Sequence, residues 1–155
     1  MTIYAVGDIH GQRALLDEVL ERIDRDGGSD AEVVFIGDYI DRGPDSRGVI
    51  ETLSAGQAAG RAWTCLMGNH DRMFGRFLTD GTLTFPAIKS GLHWTHERIG
   101  GLETLASYGM DVAKDREEAD LWAEARQAVP QATGCSSFMR GSVPASPLPI
   151  RWRKT

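Results

Sequence analysis

Cysteine and histidine are scarce here and long apolar runs are lacking, and each scarcity excludes something. The two cysteines, Cys65 and Cys135, show no pairing pattern, which removes a disulfide framework and a thiolate metal cage and points to a reducing cytoplasm. No apolar run approaches the roughly 20 residues of a membrane span. The N-terminus lacks a basic stretch, and Asp8 interrupts any apolar core of a secretory signal. A net charge of −5 excludes a general binder of nucleic acid or of anionic membrane surfaces. Histidine occurs only at positions 10, 70, 93 and 96, and no acidic side chain occurs after residue 130.

What is present suits one globular domain, since 155 residues with 41% apolar content can bury a core. Three times, a short apolar run ends in a glycine-bounded turn rich in metal-ligand chemistry. Ile3-Tyr4-Ala5-Val6 leads to Gly7-Asp8-Ile9-His10-Gly11, Glu32-Val33-Val34-Phe35-Ile36 to Gly37-Asp38-Tyr39-Ile40-Asp41-Arg42-Gly43-Pro44, and Trp63-Thr64-Cys65-Leu66-Met67 to Gly68-Asn69-His70-Asp71. Asp8 and Asp38 are 30 residues apart, and Asp38 and Asn69 are 31 apart. That interval is one strand, one helix and the return to a parallel neighbour, so the turns are expected side by side at the carboxyl ends of a parallel sheet. Asp8, His10, Asp38 and Asn69 then converge, and their oxygen and nitrogen donors suit Mn²⁺, Fe²⁺, Zn²⁺ or Mg²⁺.

GDIHG, GDYIDRGPDS and GNHD resemble the three N-terminal signature blocks of the calcineurin-like metallophosphoesterases. The DRG form is similar to the phosphoprotein-phosphatase branch, with its bacterial serine/threonine phosphatase and diadenosine-tetraphosphatase relatives. The resemblance covers residues 1 to about 80, and three blocks in order at this spacing are far more specific than one. It implies that Asp8 and His10 bind a first metal, that Asp38 bridges two metals, and that Asn69 binds the second. Two divalent ions, Mn²⁺ foremost, would activate water for attack on a phosphoester. Arg42 would bind the phosphate oxygens, His70 would protonate the leaving alkoxide, and Asp41 would hold the His70 ring and favour imidazolium. Asp71 receives no chemistry. The implied substrate is a phosphorylated protein or a small phosphoester, with no nucleic-acid or membrane partner.

Each residue alone has an ordinary reading. Gly-Asp in a loop is usually a turn, Asn69 a helix cap, and Asp41-Arg42 a surface ion pair. It is their coincidence across three blocks that favours the site.

Periodicity fills in the remaining elements. Leu15, Leu16, Val19, Leu20 and Ile23 predict a helix from Gln12 to about Arg25 with those side chains inward, and Asp26-Gly27-Gly28 stops it. Pro44-Asp45-Ser46 opens a helix burying Val49, Ile50 and Leu53, and Met73, Phe74, Phe77 and Leu78 mark a short core helix. Residues 80–130 are expected to form a helical cap, including Gly100-Gly101-Leu102-Glu103-Thr104-Leu105, which resembles the cap of bacterial phosphatases of this branch. His93 and His96 could share a helical face as ligands, against a solvated pair beside Trp94. Residues 115–129 read as an amphipathic helix with Ala119, Trp122, Ala125 and Val129 toward the body.

The fold class expected is α/β, the N-terminal half of a metallophosphoesterase sandwich over residues 1–130, followed by an unstructured, non-family tail at 131–155. That tail has four basic residues, three of the six prolines and no periodicity. The late His-Ala-Gly and Gly-His blocks of the family are missing from it. A shifted reading frame accounts for this: taking the third base of each codon from Cys135 with the first two of the next, synonymous choices exist that spell LFFHAGVRPGIPLADQVEED. The nucleotide sequence decides that hypothesis, which fails if those codons cannot yield the block. If it holds, an incomplete second metal cage and a catalytically impaired remnant are the expected consequences.

Overall fold

A computed structural model describes residues 2–86, 88, 91–113 and 116–129. The expected tail at 131–155, and with it the altered reading frame, lies outside the described residues.

Three short apolar runs form a parallel sheet in the order β1 (Ile3–Val6), β2 (Glu32–Phe35), β3 (Trp63–Cys65). Ile3 pairs with Glu32 and Val6 with Phe35 across the first ladder, and Val33 with Trp63 and Phe35 with Cys65 across the second. Helices α1 (Arg13–Gly27) and α2 (Ser46–Ala58) are the crossovers. Because the strand order steps in one direction, right-handed connections put both helices on the same face. That face carries Tyr4, Val6, Val33, Phe35, Trp63 and Cys65 into the core.

The expected strands and helices are present, with shorter strands than the apolar runs suggested. Helix α1 buries Leu16 and Ile23, with Val19 and Leu20 packed against the core. Leu15, expected inward, is 58% exposed, because it sits one step of the helix away from the 16-19-20-23 stripe. Helix α2 begins where expected: the Asp45 carboxylate accepts from Gly48 N at 2.8 Å as the cap, and Val49, Ile50 and Leu53 are buried. Helix α3 (Asn69–Asp80) buries Met73, Phe74 and Phe77. Full burial of each phenylalanine contributes about 2 kcal/mol.

The segment after α3 contains α4 (Gly101–Ser107) and α5 (Glu118–Ala128), which pack against α2 and α3 respectively. In α5 the inward positions are Leu121 and Ala125, continued by Val129 beyond its end. Ala119, expected inward, is exposed, since it lies nearly opposite Leu121 on the helix. Residues 91–100 are turns, not helix, closed by His96 N to His93 O at 3.0 Å and Ile99 N to His96 O at 2.8 Å. His93 and His96 therefore share no helical face, which leaves the pair beside Trp94.

Candidate metal centre

The three glycine-bounded turns meet at the carboxyl edge of the sheet, as the spacing required. Turn one is stitched to turn two by its backbone: Ile9 N and His10 N both donate to Asp38 O, at 3.0 and 2.9 Å, and Gly11 N donates to Tyr39 O at 2.8 Å. Turn two meets turn three backbone to backbone. A Cβ on Gly37, which has φ 105°, would strike Gly68, and a Cβ on Gly68 would strike Asp38. Glycine is what allows these strand ends to close together.

Asp8, His10 and Asp38 each offer a ligand atom, and these atoms lie within 4.8 Å of one another. His10 Nδ1 sits 2.8 Å from Ile40 O. A carbonyl only accepts, so Nδ1 carries a proton, and Nε2, which faces the donor-only Arg42 guanidinium, presents a lone pair with Asp8 Oδ2 3.9 Å away. Asp38 Oδ1 accepts from His70 N at 3.0 Å, tying this carboxylate to the first turn of α3. Two carboxylates and one neutral imidazole form a donor set suited to a divalent ion of the Mn, Fe, Zn or Mg kind. Asn69 opens α3 with its side chain exposed, one residue before His70.

The three residues expected to act on substrate are also gathered here. Arg42 Nη1 lies 3.1 Å from His10 Nε2, and Arg42 Nη2 lies 3.2 Å from His70 Nε2. The two imidazoles meet edge to face with centroids 4.8 Å apart. His70 Nδ1 is 2.7 Å from Asp41 Oδ2, and the Asp41 side chain is fully buried. Since the carboxylate accepts, Nδ1 again carries the proton and Nε2 faces Arg42.

Backbone strain marks the same residues. Among the described residues the non-glycine positions with positive φ are His10 (46°), Asp38 (55°), Asp41 (71°) and Arg42 (69°). Left-handed backbone at non-glycine residues persists only where surrounding structure enforces it, and it gathers at functional sites.

Asp71, given no role from sequence, is one enforcer. Its Oδ2 accepts from Gly68 N and Asp38 N, both at 2.8 Å, and its Oδ1 accepts from Tyr39 N at 3.0 Å. One buried carboxylate thus clamps turns two and three together. Burial pushes its pKa up to about 6, against the lowering effect of the three N–H donors. The legible signal was an acid at the third position of a helix, which reaches back to the cap N–H. Nearby, burial raises the Cys65 thiol to about 12, which keeps it an inert thiol beside Tyr39.

His93 and His96 stand apart from this centre. His93 Nδ1 pairs with Glu118 at 2.9 Å, exposed to solvent, and His96 Nδ1 accepts from Arg98 N at 3.1 Å.

A parallel sheet with carboxylate and imidazole donors at its carboxyl edge defines a class, the α/β proteins with a candidate divalent-metal centre. The chain belongs to the calcineurin-like phosphoesterase family, which it matches over residues 1–135. Family members use divalent metal ions. It is 39% identical over 122 residues to the symmetrical bis(5'-nucleosyl)-tetraphosphatase of Janthinobacterium sp. (strain Marseille), covering 79% of this chain and 37% of that protein. The proteins of the same name from Methylococcus capsulatus and Delftia acidovorans are 42% and 37% identical over 71 residues, 46% of this chain and 24% of each relative. The chain therefore spans little more than a third of the Janthinobacterium relative. Among the described residues no helix is long and apolar enough to cross a membrane.

Proposed function

We propose that this chain carries the metal- and phosphate-binding half of a metal-dependent hydrolase acting on phosphoesters. The observation that carries the reading is the convergence of Asp8, His10 and Asp38 within 4.8 Å, with Arg42 set between His10 and His70. Asp8, His10 and Asp38 would hold a divalent ion, and Asn69 with Asp38 would serve a second. Bound there, divalent ions supply an acidified water and charge neutralisation for phosphate.

The chain's own residues supply the rest. Arg42, exposed to solvent, turns its planar guanidinium to the phosphate oxygens, for which its two-pronged geometry is suited. With Arg42 turned from His70 Nε2 to the phosphate, a protonated Nε2 would deliver its proton to the leaving oxygen, and Asp41 holds the ring through Nδ1. Residues 1–130 would act as one phosphoesterase domain with a cap at 80–130, of which Trp94, Gly100 and Thr104 contact Asp41 and Arg42.

Two substrate readings follow, and both are small enough to test together. Resemblance in the signature blocks pointed first to a protein-phosphatase type of phosphomonoesterase, in a cytoplasmic setting with Mn²⁺ as the ion. The relatives' shared name, symmetrical bis(5'-nucleosyl)-tetraphosphatase, favours a dinucleoside polyphosphate instead. The test is Mn²⁺-dependent turnover of para-nitrophenyl phosphate and of diadenosine tetraphosphate, with Asp38→Asn and His70→Asn alongside. Turnover lost in both variants is the expected result. Soluble, folded protein with no turnover of either compound would instead support a metal- or phosphate-binding remnant.

A further inference from the structure

The Asp41 carboxylate receives more than the His70 ring. Trp94 Nε1 donates to Asp41 Oδ2 at 2.8 Å, and Thr104 Oγ1 donates to Asp41 Oδ1 at 2.6 Å. Trp94, Thr104 and Asp41 are all fully buried. With its proton committed to Asp41, the Thr104 hydroxyl can only accept from its other neighbours. Asp41 N donates to it at 2.9 Å and to Ser46 Oγ at 3.1 Å, so the Ser46 hydroxyl donates across the 3.1 Å gap to Thr104. The network is closed, with every proton assigned.

The same segment also grips the next residue. Arg42 N donates to Gly100 O at 3.2 Å, and Gly100, at φ 94°, leaves room that a Cβ would fill against the Arg42 backbone. Both Asp41 and Arg42 have positive φ, so contacts from residues 94–104 fall on the strained part of turn two. From these contacts we infer that Trp94 and Thr104 are positioning residues for the Asp41–His70 pair. They fix the carboxylate against rotation, and the carboxylate in turn fixes the His70 ring with Nε2 toward Arg42 and the ligand cluster. The segment acts as a brace for proton transfer as well as a cover.

The alternative is that Trp94 is simply a core aromatic, stacked on Phe74 at 5.4 Å and beside Phe77 at 5.0 Å. Trp94→Phe separates the two readings, because it keeps an aromatic ring in the stack and removes only the Nε1 donor. Thr104→Val removes the hydroxyl at nearly constant shape, and Thr104→Ser restores it.

The inference rests on the proposed role of His70, and the experiment distinguishes the two. Phenyl phosphate needs a protonated leaving group far more than para-nitrophenyl phosphate does. With Mn²⁺ present, Trp94→Phe and Thr104→Val are expected to lower kcat for phenyl phosphate by about tenfold, a part of what general acid catalysis supplies, with KM and para-nitrophenyl phosphate turnover little changed. Thr104→Ser should recover the wild-type profile. In parallel, ¹⁵N–¹H spectra at fixed pH should show the His70 Nδ1–H resonance protected in the wild type and broadened by exchange in both variants. Equal losses on both esters, or no loss on either, with an unchanged His70 resonance, would overturn the inference. A wild type inactive on both esters and on diadenosine tetraphosphate contradicts the proposed function alone, and the His70 resonance then decides this inference by itself. Should Thr104→Val fail to fold, Trp94→Phe carries the test.

Discussion

His10, Asp38, Asp41 and Arg42 hold left-handed backbone at a cost on the order of 1 kcal/mol each, and the hydrogen bonds around them are what offset it. Asp71 alone accepts three backbone N–H groups from two turns. Asp71→Ala leaves those donors without a partner inside the protein and is expected to destabilise it by about 2 kcal/mol, read from urea unfolding. Asp71→Asn keeps an acceptor oxygen and should lose less. Equal stability of wild type and Asp71→Ala would show that the clamp is idle. At this scale the clustered donors were legible, because Asp8, His10 and Asp38 stand beside glycines at strand ends. Asp71 and Trp94 were not, since their importance lies in which distant atoms they reach: the amides of residues 38 and 39 for one, the Asp41 carboxylate for the other.

The turns work as a set because the strand ends close on each other. A methyl group at Gly68 has no place to go, since the Asp38 amide and carboxylate occupy it. Gly68→Ala is therefore expected to cost about 2 kcal/mol by overpacking and to weaken Mn²⁺ binding, which calorimetry of folded variant and wild type compares directly. Unchanged metal affinity would mean that the apposition of turns two and three does not shape the site. Regular elements were readable from periodicity wherever one stripe dominated, as in α2 with Val49, Ile50 and Leu53. Reading failed at the margins of a stripe, at Leu15 and Ala119, where apolar composition alone does not give direction. At His93 and His96 the solvated pair is the reading that holds, since Trp94 between them is drawn inward to Asp41 and the chain turns around it.

On the scale of the whole molecule, the sheet has two unlike faces. One is covered by helices, while alternation sends Ile3, Ala5, Val34, Ile36, Thr64 and Leu66 to the other. There Ile3 is 57% exposed, Ile36 52% and Leu66 41% among the described residues. Apolar groups gathered on one open face promote association. Purified protein is expected to bind a hydrophobic dye and to self-associate as concentration rises in sedimentation, and the double change Ile36→Thr, Leu66→Thr should reduce both. A monomer with no dye binding would contradict this reading of the face.

The central claim is that three turns, brought together by a parallel sheet, create a divalent-metal site from Asp8, His10 and Asp38. Its most direct test is calorimetric titration of metal-stripped protein with Mn²⁺, with Asp38→Asn titrated under the same conditions and circular dichroism confirming that both are folded. The account predicts saturable binding by the wild type that Asp38→Asn loses. Identical heats from the two folded proteins would contradict it.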